Sequence, residues 1–241
     1  MTAETDGRAA GKRAAAAEAL TQVEDGMTLG LGTGSTAAIF VDLLAERMKA
    51  ENLRLLCVPT SLATAAQASA LDIPLTTLDD VAELDLTIDG ADEADAALTL
   101  IKGGGGALLR EKIVAGASRR MVVIADDTKK VETLGAFPLP VEIVRFGAPA
   151  TVARIEGVLR EADVGAQRLT HRQGSNGRYI TDEGHEIVDL HLGRIGDAQA
   201  LSTALLEVPG VVETGLFIGM AERLILGLAD GGAHTVMPLS G

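Results

Sequence analysis

The 241-residue sequence predicts an α/β fold: a doubly wound, mainly parallel sheet with a second, smaller α+β domain. Short apolar runs without polar alternation recur between helical stretches, as expected of strands in a sheet covered on both faces. Three of these runs lead directly into loops of glycine, aspartate, threonine and lysine at 30–36, 89–92 and 126–129. In open α/β sheets such loops gather at the carboxyl ends of the strands, where ligands bind. Beyond Leu134 the pattern changes to short alternating runs separated by Gly/Asn and Asp/Gly turns, which read as antiparallel hairpins.

Taken in order, residues 1–10 are small and polar and are expected to fray, and 12–23 read as an alanine-rich helix stopped by Asp25-Gly26. A strand over 27–31 runs into Gly30-Leu31-Gly32-Thr33-Gly34-Ser35-Thr36, and an amphipathic helix follows over 37–48. Strands are then expected at 53–58, 74–78 and 84–88, with a helix at 61–71 between the first two. A helix carrying Glu111 and an apolar strand ending at Asp126-Asp127 come next. Later come a strand near Val141, helices over 150–162 and 198–206, and strands over 168–172 and 178–190 with turns at 174–177 and 182–184. The apolar run 211–236 is expected to return to the main sheet. This divides the chain into a main, Rossmann-like domain, 1–133 with 211–241, and a small α+β domain, 134–210, as a candidate for oligomerisation.

Composition narrows the function. A formal net charge of −13, no Trp and a single Tyr leave neither the basic stripe nor the stacking platforms of a nucleic-acid binder. Local donors can still hold a single phosphate against that mean field. No apolar run reaches the length of a membrane span, and no secretory leader opens the chain, so no membrane partner and a cytoplasmic location are expected. The single cysteine, Cys57, excludes an intramolecular disulfide and sits in a strand-like run as a small hydrophobe. The four histidines, His171, His185, His191 and His234, lack metal-ligand spacing and are read as surface or structural, so no metal is predicted.

Four stretches carry chemistry. The loop 30–36 joins a strand to a helix and turns backbone N–H groups and a helix dipole toward an anion. Its Gly-x-Gly-x-Gly spacing matches neither the dinucleotide nor the Walker pattern, and Ser35 or Thr36 as a helix N-cap in a tight turn fits equally. Asp89-Gly90-Ala91-Asp92 stands at a strand tip, with Asp92 as N-cap of a short helix and Asp89 as a turn acid the bland alternative. Lys102 opens Gly103-Gly104-Gly105-Gly106, a run that costs conformational entropy and suits close backbone approach to a developing oxyanion, with a flexible loop as the bland alternative. Glu111 follows on a helix that Leu108, Leu109, Ile113 and Val114 would pack; taken alone it reads as a dipole partner or exposed charge, and its place just beyond the glycine loop is what suits a base beside a polarised carbonyl. Lysine after position 50 occurs only between 102 and 130.

These segments, Gly-Leu-Gly-Thr-Gly-Ser-Thr-Ala (30–37), Asp-Gly-Ala-Asp-Glu (89–93) and Lys-Gly-Gly-Gly-Gly-Ala with Arg-Glu-Lys (102–112), resemble the signatures of type A ribose-5-phosphate isomerases. Phe-Pro-Leu-Pro-Val-Glu (137–142) and Pro-Gly-Val-Val-Glu-Thr-Gly-Leu-Phe (209–217) are similar to that family too. The resemblance implies interconversion of D-ribose 5-phosphate and D-ribulose 5-phosphate in the non-oxidative pentose phosphate pathway, without metal or cofactor, in a homodimer or homotetramer. It implies Glu111 as general base, with Asp89, Asp92 and Lys102 as further catalytic groups at the sugar hydroxyls. The substrate pocket would comprise Thr33, Gly34, Ser35, Thr36, Asp89, Gly90, Ala91, Asp92, Lys102, Gly103, Gly104, Gly105 and Lys129, with Lys12 as a further phosphate contact. The chemistry is consistent: moving a carbonyl between C1 and C2 needs one carboxylate to shuttle a proton and donors to hold an enediolate. A non-catalytic sugar-phosphate sensor and a coenzyme A transferase-like enzyme with a glutamate acyl acceptor are the competing readings.

Overall fold

A computed structural model describes residues 3–238. The elements, in chain order, begin with α1 (Ala3–Leu20), β1 (Thr28–Leu31), α2 (Ser35–Glu51), β2 (Leu56–Pro59), α3 (Leu62–Ala70) and β3 (Leu86–Gly90). They continue with β4 (Glu93–Ala94), β5 (Leu100–Ile101), α4 (Leu108–Gly116), β6 (Met121–Asp126), a 3-10 turn (Asp127–Lys129), β7 (Leu139–Ile143) and α5 (Ala148–Glu161). The strands β8 (Arg168–His171), β9 (Gln173–Gly174), β10 (Gly177–Arg178) and β11 (Glu186–His191) precede α6 (Ala198–Leu206). The last are β12 (Val211–Thr214), β13 (Leu216–Phe217), β14 (Arg223–Gly227) and β15 (Ala233–Val236).

Two compact units emerge, one of residues 1–91, 110–129 and 220–241 and the other of 92–109 and 130–219. Their borders differ from 133/134 and 210/211, because 92–109, 130–133 and 211–219 belong to the second unit. The first unit holds a six-stranded sheet in the order β15-β14-β6-β3-β1-β2, parallel except for β15. β6 is buried along its whole length, as its unbroken apolar run requires. Phe40, Val41 and Leu44 of α2 form one helical stripe against Leu29, Leu31, Leu86 and Ile88. Because β1, β3 and β6 are adjacent and parallel, the loops 32–34, Ala91 and 127–129 leave the same edge of this sheet. The mainly parallel α/β class expected from the sequence is what the first unit shows.

The second unit contains an antiparallel sheet, β12-β7-β11-β8, a small hairpin of β9 and β10, and a three-stranded sheet, β13-β5-β4. Leu139, Val141 and Ile143 alternate along β7 and meet Ile155 and Leu159 of α5 and Leu201 and Leu205 of α6. Pro140 and Glu142 face the other way and are buried as well.

Several expectations need correction. Residues 3–10 are helical rather than frayed, while residues 1–2 lie outside the described region. The strand expected at 74–78 is a single bridge from Leu75 to Cys57, since Pro74 has no N–H with which to extend a ladder. Of the run 211–236, only β14 and β15 join the main sheet; β12 pairs with β7, and β13 with β5. Ile113 is exposed instead of packing α4, and Val114 lies against Val58 and Leu84.

Candidate active site

In the first unit, the glycine loop is built around Asp89. Its fully buried carboxylate accepts from the N–H of Thr33 at 3.1 Å and of Gly90 at 2.7 Å. A Cβ at Gly32 would stand 2.2 Å from Asp89 Oδ1, so glycine there makes room for the acid. Asp89 is therefore the organiser of two loops rather than a simple turn residue. Behind the loop lies a hydroxyl cluster that the sequence reading did not single out. Thr60 and Thr64 donate to the carbonyls of Leu31 and Gly32, each at 3.0 Å. Thr33 Oγ1 lies 2.7 Å from Thr60 Oγ1 and donates to Ser61 Oγ at 2.8 Å. Only the position of 60–64 at the end of a strand neighbouring β1 could have signalled this.

Ser35 is not the N-cap of α2. Gly34 occupies that position, at φ 109°, with no side-chain cap, and Ser35 and Thr36 open the helix. The first N–H groups thus lack a side-chain acceptor from the cap residue, the condition under which a helix start receives an anion. Lys12, half-buried on α1, donates to the exposed Ser35 Oγ at 2.9 Å and adds positive charge at this end. At the tip of β6, Asp126 is buried and takes the Thr128 hydroxyl, and the 3-10 turn ends at Lys129. Glu111 sits in the first turn of α4 and is 3% exposed, an ionisable group folded inside instead of an ordinary surface charge.

In the second unit, no helix follows Asp92. Its carboxylate accepts from the Gly104 N–H at 2.7 Å, and its own N–H donates to Ile101 O at 2.8 Å. A Cβ at Gly104 would lie 2.6 Å from Asp92 Oδ1. β5 delivers Lys102 into a buried position, with its ammonium 5.4 Å from the Phe217 ring centroid. The aromatic face and the cation attract there. Lys102 N–H donates to Gly215 O at 2.9 Å, and Gly215 N–H to Pro140 O at 2.7 Å, so β7 backs the lysine through one residue. Gly103 at φ 100° and Gly106 at φ 83° bend the ribbon, while Gly104 and Gly105 stay exposed. Buried Glu93 accepts from the N–H of Gly135 at 2.7 Å and of Phe137 at 2.5 Å, a structural duty for the second acid of the motif.

Among the described residues no cluster of His, Cys, Asp and Glu could hold a metal ion, and no helix is long and apolar enough to cross a membrane. The Cys57 thiol is pushed up to about 12 by burial, which makes it an inert core group. His185 Nδ1 stands 2.9 Å from Glu142 and His191 Nε2 bonds the Thr170 hydroxyl at 2.9 Å, both structural duties.

Within the first unit, then, Asp89, Gly90 and Thr33 meet directly, and Lys12 meets Ser35; within the second, Asp92 meets Gly104. These features define an α/β protein with a buried acid and a helix start at the carboxyl edge of its parallel sheet. Residues 56–231 match the family model of ribose 5-phosphate isomerase A, also called phosphoriboisomerase A. The chain is 57% identical over 228 residues to ribose-5-phosphate isomerase A of Methylorubrum extorquens, covering 95% of this chain and 96% of that relative. It is 60% identical over 221 residues to the enzyme of the same name from Afipia carboxidovorans, covering 91% and 93% of the two chains. A solved D-ribose-5-phosphate isomerase in complex with phospho-erythronic acid superposes with a TM-score of 0.88 at 36% identity, covering 98% of this chain and 100% of that one. The chain belongs to the ribose 5-phosphate isomerase A family.

Proposed function

We propose that this protein interconverts D-ribose 5-phosphate and D-ribulose 5-phosphate through an enediolate, with Glu111 as the shuttling base. The Glu111 carboxylate takes the proton from C2 of the open-chain aldose. The C–H electron pair forms the C1–C2 double bond, and the aldehyde oxygen becomes the oxyanion. The hydroxyl proton then passes from O2 to O1, Glu111 returns its proton to C1, and the electron pair left on O2 forms the C2 carbonyl of the ketose. The Lys102 ammonium and the backbone N–H groups of Gly103 and Gly105 hold the developing charge, while the Gly104 N–H seats the Asp92 carboxylate beside the substrate. Asp89 and Asp92, with Gly90 and Ala91, address the sugar hydroxyls and assist ring opening. Thr33, Gly34, Ser35 and Thr36, with Lys129 and Lys12, receive the phosphate, where helix start and ammonium groups favour an anion.

The observation that carries this reading is the burial of Glu111 directly after the glycine ribbon in a chain of this family. Burying an ionisable carboxylate is costly, so one held inside at this position of the family's motif is a candidate for the chemistry. The same relatives do not favour the sensor or transferase readings. The reaction balances without any cofactor, and we assign the protein to the cytoplasm as a homodimer or homotetramer.

The test is Glu111→Gln, which keeps shape and hydrogen bonding but cannot accept the proton. Turnover of ribose 5-phosphate, followed by the appearance of the ketose, should fall by about 10²–10⁴ while sugar-phosphate binding persists. Near-normal turnover would remove Glu111 from its role, and an inactive native protein would overturn the function itself.

A further inference from the structure

We infer that Arg172, clamped by Asp189, is a positioning residue that aims the peptide groups of the glycine ribbon; this rests on the reading that the ribbon's amides hold the enediolate oxygen. Arg172 follows β8, and its side chain and that of Asp189 are only 15% and 16% exposed. Nε donates to Asp189 Oδ2 at 3.0 Å and Nη2 to Oδ1, a two-point pair that fixes the plane of the guanidinium. The remaining Nη1 donates to Gly103 O at 2.7 Å and to Gly104 O at 3.2 Å. Tyr179 takes up the next carbonyl, its hydroxyl donating to Gly105 O at 3.4 Å while its ring fills the space beside Gly106. Three consecutive ribbon carbonyls are thus engaged by the hairpin side chains.

A trans peptide is planar, so fixing a carbonyl fixes the N–H of the following residue on the opposite side. Holding Gly103 O and Gly104 O therefore points the N–H groups of Gly104 and Gly105 away from Arg172. The Gly104 N–H meets Asp92 as this requires. Donation from a cation to the carbonyl also polarises the peptide and strengthens its N–H as a donor. Four consecutive glycines have little conformational preference of their own; the ribbon's one internal bond, Gly106 N–H to Gly103 O at 2.9 Å, leaves Gly104 O and Gly105 O to the hairpin side chains. Lysine cannot replace this clamp, since a point charge lacks the planar fork.

The experiment compares Arg172→Lys, Arg172→Gln and Asp189→Asn with the native protein for kcat, KM, thermal midpoint and affinity for phospho-erythronic acid, an acid analogue of the enediolate. For both Arg172 variants kcat should fall about 10- to 100-fold, with KM within about threefold and analogue affinity falling in step with kcat/KM. Asp189→Asn should show a smaller loss of the same kind. A lowered thermal midpoint with unchanged kcat would make Arg172 a structural staple and overturn the inference, as would a raised KM alone. If Arg172→Gln fails to fold, Arg172→Lys and Asp189→Asn decide. Native activity abolished by Glu111→Gln but untouched in every Arg172 variant defeats this inference only; native inactivity defeats the isomerase reading beneath it.

Discussion

Asp89 and Asp92 each own a glycine. Gly32 leaves room for the first carboxylate and Gly104 for the second, with missing Cβ atoms that would stand 2.2 and 2.6 Å from carboxylate oxygens. Gly104 has no left-handed φ, so alanine is allowed there by the backbone, and the substitution isolates the clash. Gly104→Ala should displace the Asp92 carboxylate and lower kcat/KM about 10²-fold while the thermal midpoint of this exposed loop hardly moves. A calorimetric scan beside the rate assay checks both halves, and an unchanged rate would show that Asp92 needs no fixed seat. The residue types were legible in the sequence, since aspartates at a strand tip and a lysine before four glycines stand out in one dimension. Their pairing was not, because Asp89 meets a loop 56 residues earlier and Asp92 a glycine 12 residues later. Phe217 beside Lys102 and the hydroxyls of Thr60, Ser61 and Thr64 were hidden for the same reason.

At the scale of elements, the long-period signals were readable and the short ones were not. β1, β3 and β6 show as apolar runs, and α2 as a 3.6-residue stripe, because burial dictates those patterns. β4, β5 and β13 contain two residues each, too few to display any period, yet they seat Lys102. The Val211-Val212 pair announces a strand without saying which sheet it joins, and it joins β7. On β7 itself, Glu142 is fully buried, accepts from Thr181 at 2.9 Å, and faces His185 Nδ1 at 2.9 Å. Burial raises its carboxyl above the ordinary 4.5, although the His185 and Thr181 hydrogen bonds pull the other way. A raised folded value means that the native state holds its proton more tightly than the unfolded chain. Stability from this group is therefore full below about pH 4.5 and declines as pH rises through the folded value. Removing His185 takes away the leading opposing bond. His185→Ala should accordingly lose little stability at pH 4 relative to native and progressively more as pH rises, as urea titrations across that range would show. A deficit independent of pH would mean that His185 acts by packing alone.

Over the whole molecule, charge rather than shape sets the most general expectation. The carboxyls of Asp25, Asp85, Asp163 and Glu222 are held below their ordinary values by bonds from Arg54, from the Thr28 backbone, from Arg194 and from Arg120 respectively. Each contributes stability above its unfolded value and loses it as pH falls through the lower folded one. The arginine pairs among these lie at or near the surface, where an ion pair contributes little and is weakened by salt. Against them stands a formal net charge of −13, whose self-repulsion opposes the compact state at neutral pH. Salt screens both, but the few pairs are short-range and partly self-contained, while the excess negative charge acts across the surface beyond the roughly 10 Å Debye length of 0.1 M salt. Repulsion is thus the larger quantity to be relieved. Raising sodium chloride from about 10 mM to 0.15 M at pH 7.5 should raise the thermal midpoint by roughly 2–4 °C, the shift that corresponds to about 1 kcal/mol in a chain of this size. Sodium fluoride at equal ionic strength should act alike if screening is the cause. A midpoint that falls with salt would show that the surface pairs outweigh the excess negative charge, and would reverse this ranking of the two effects.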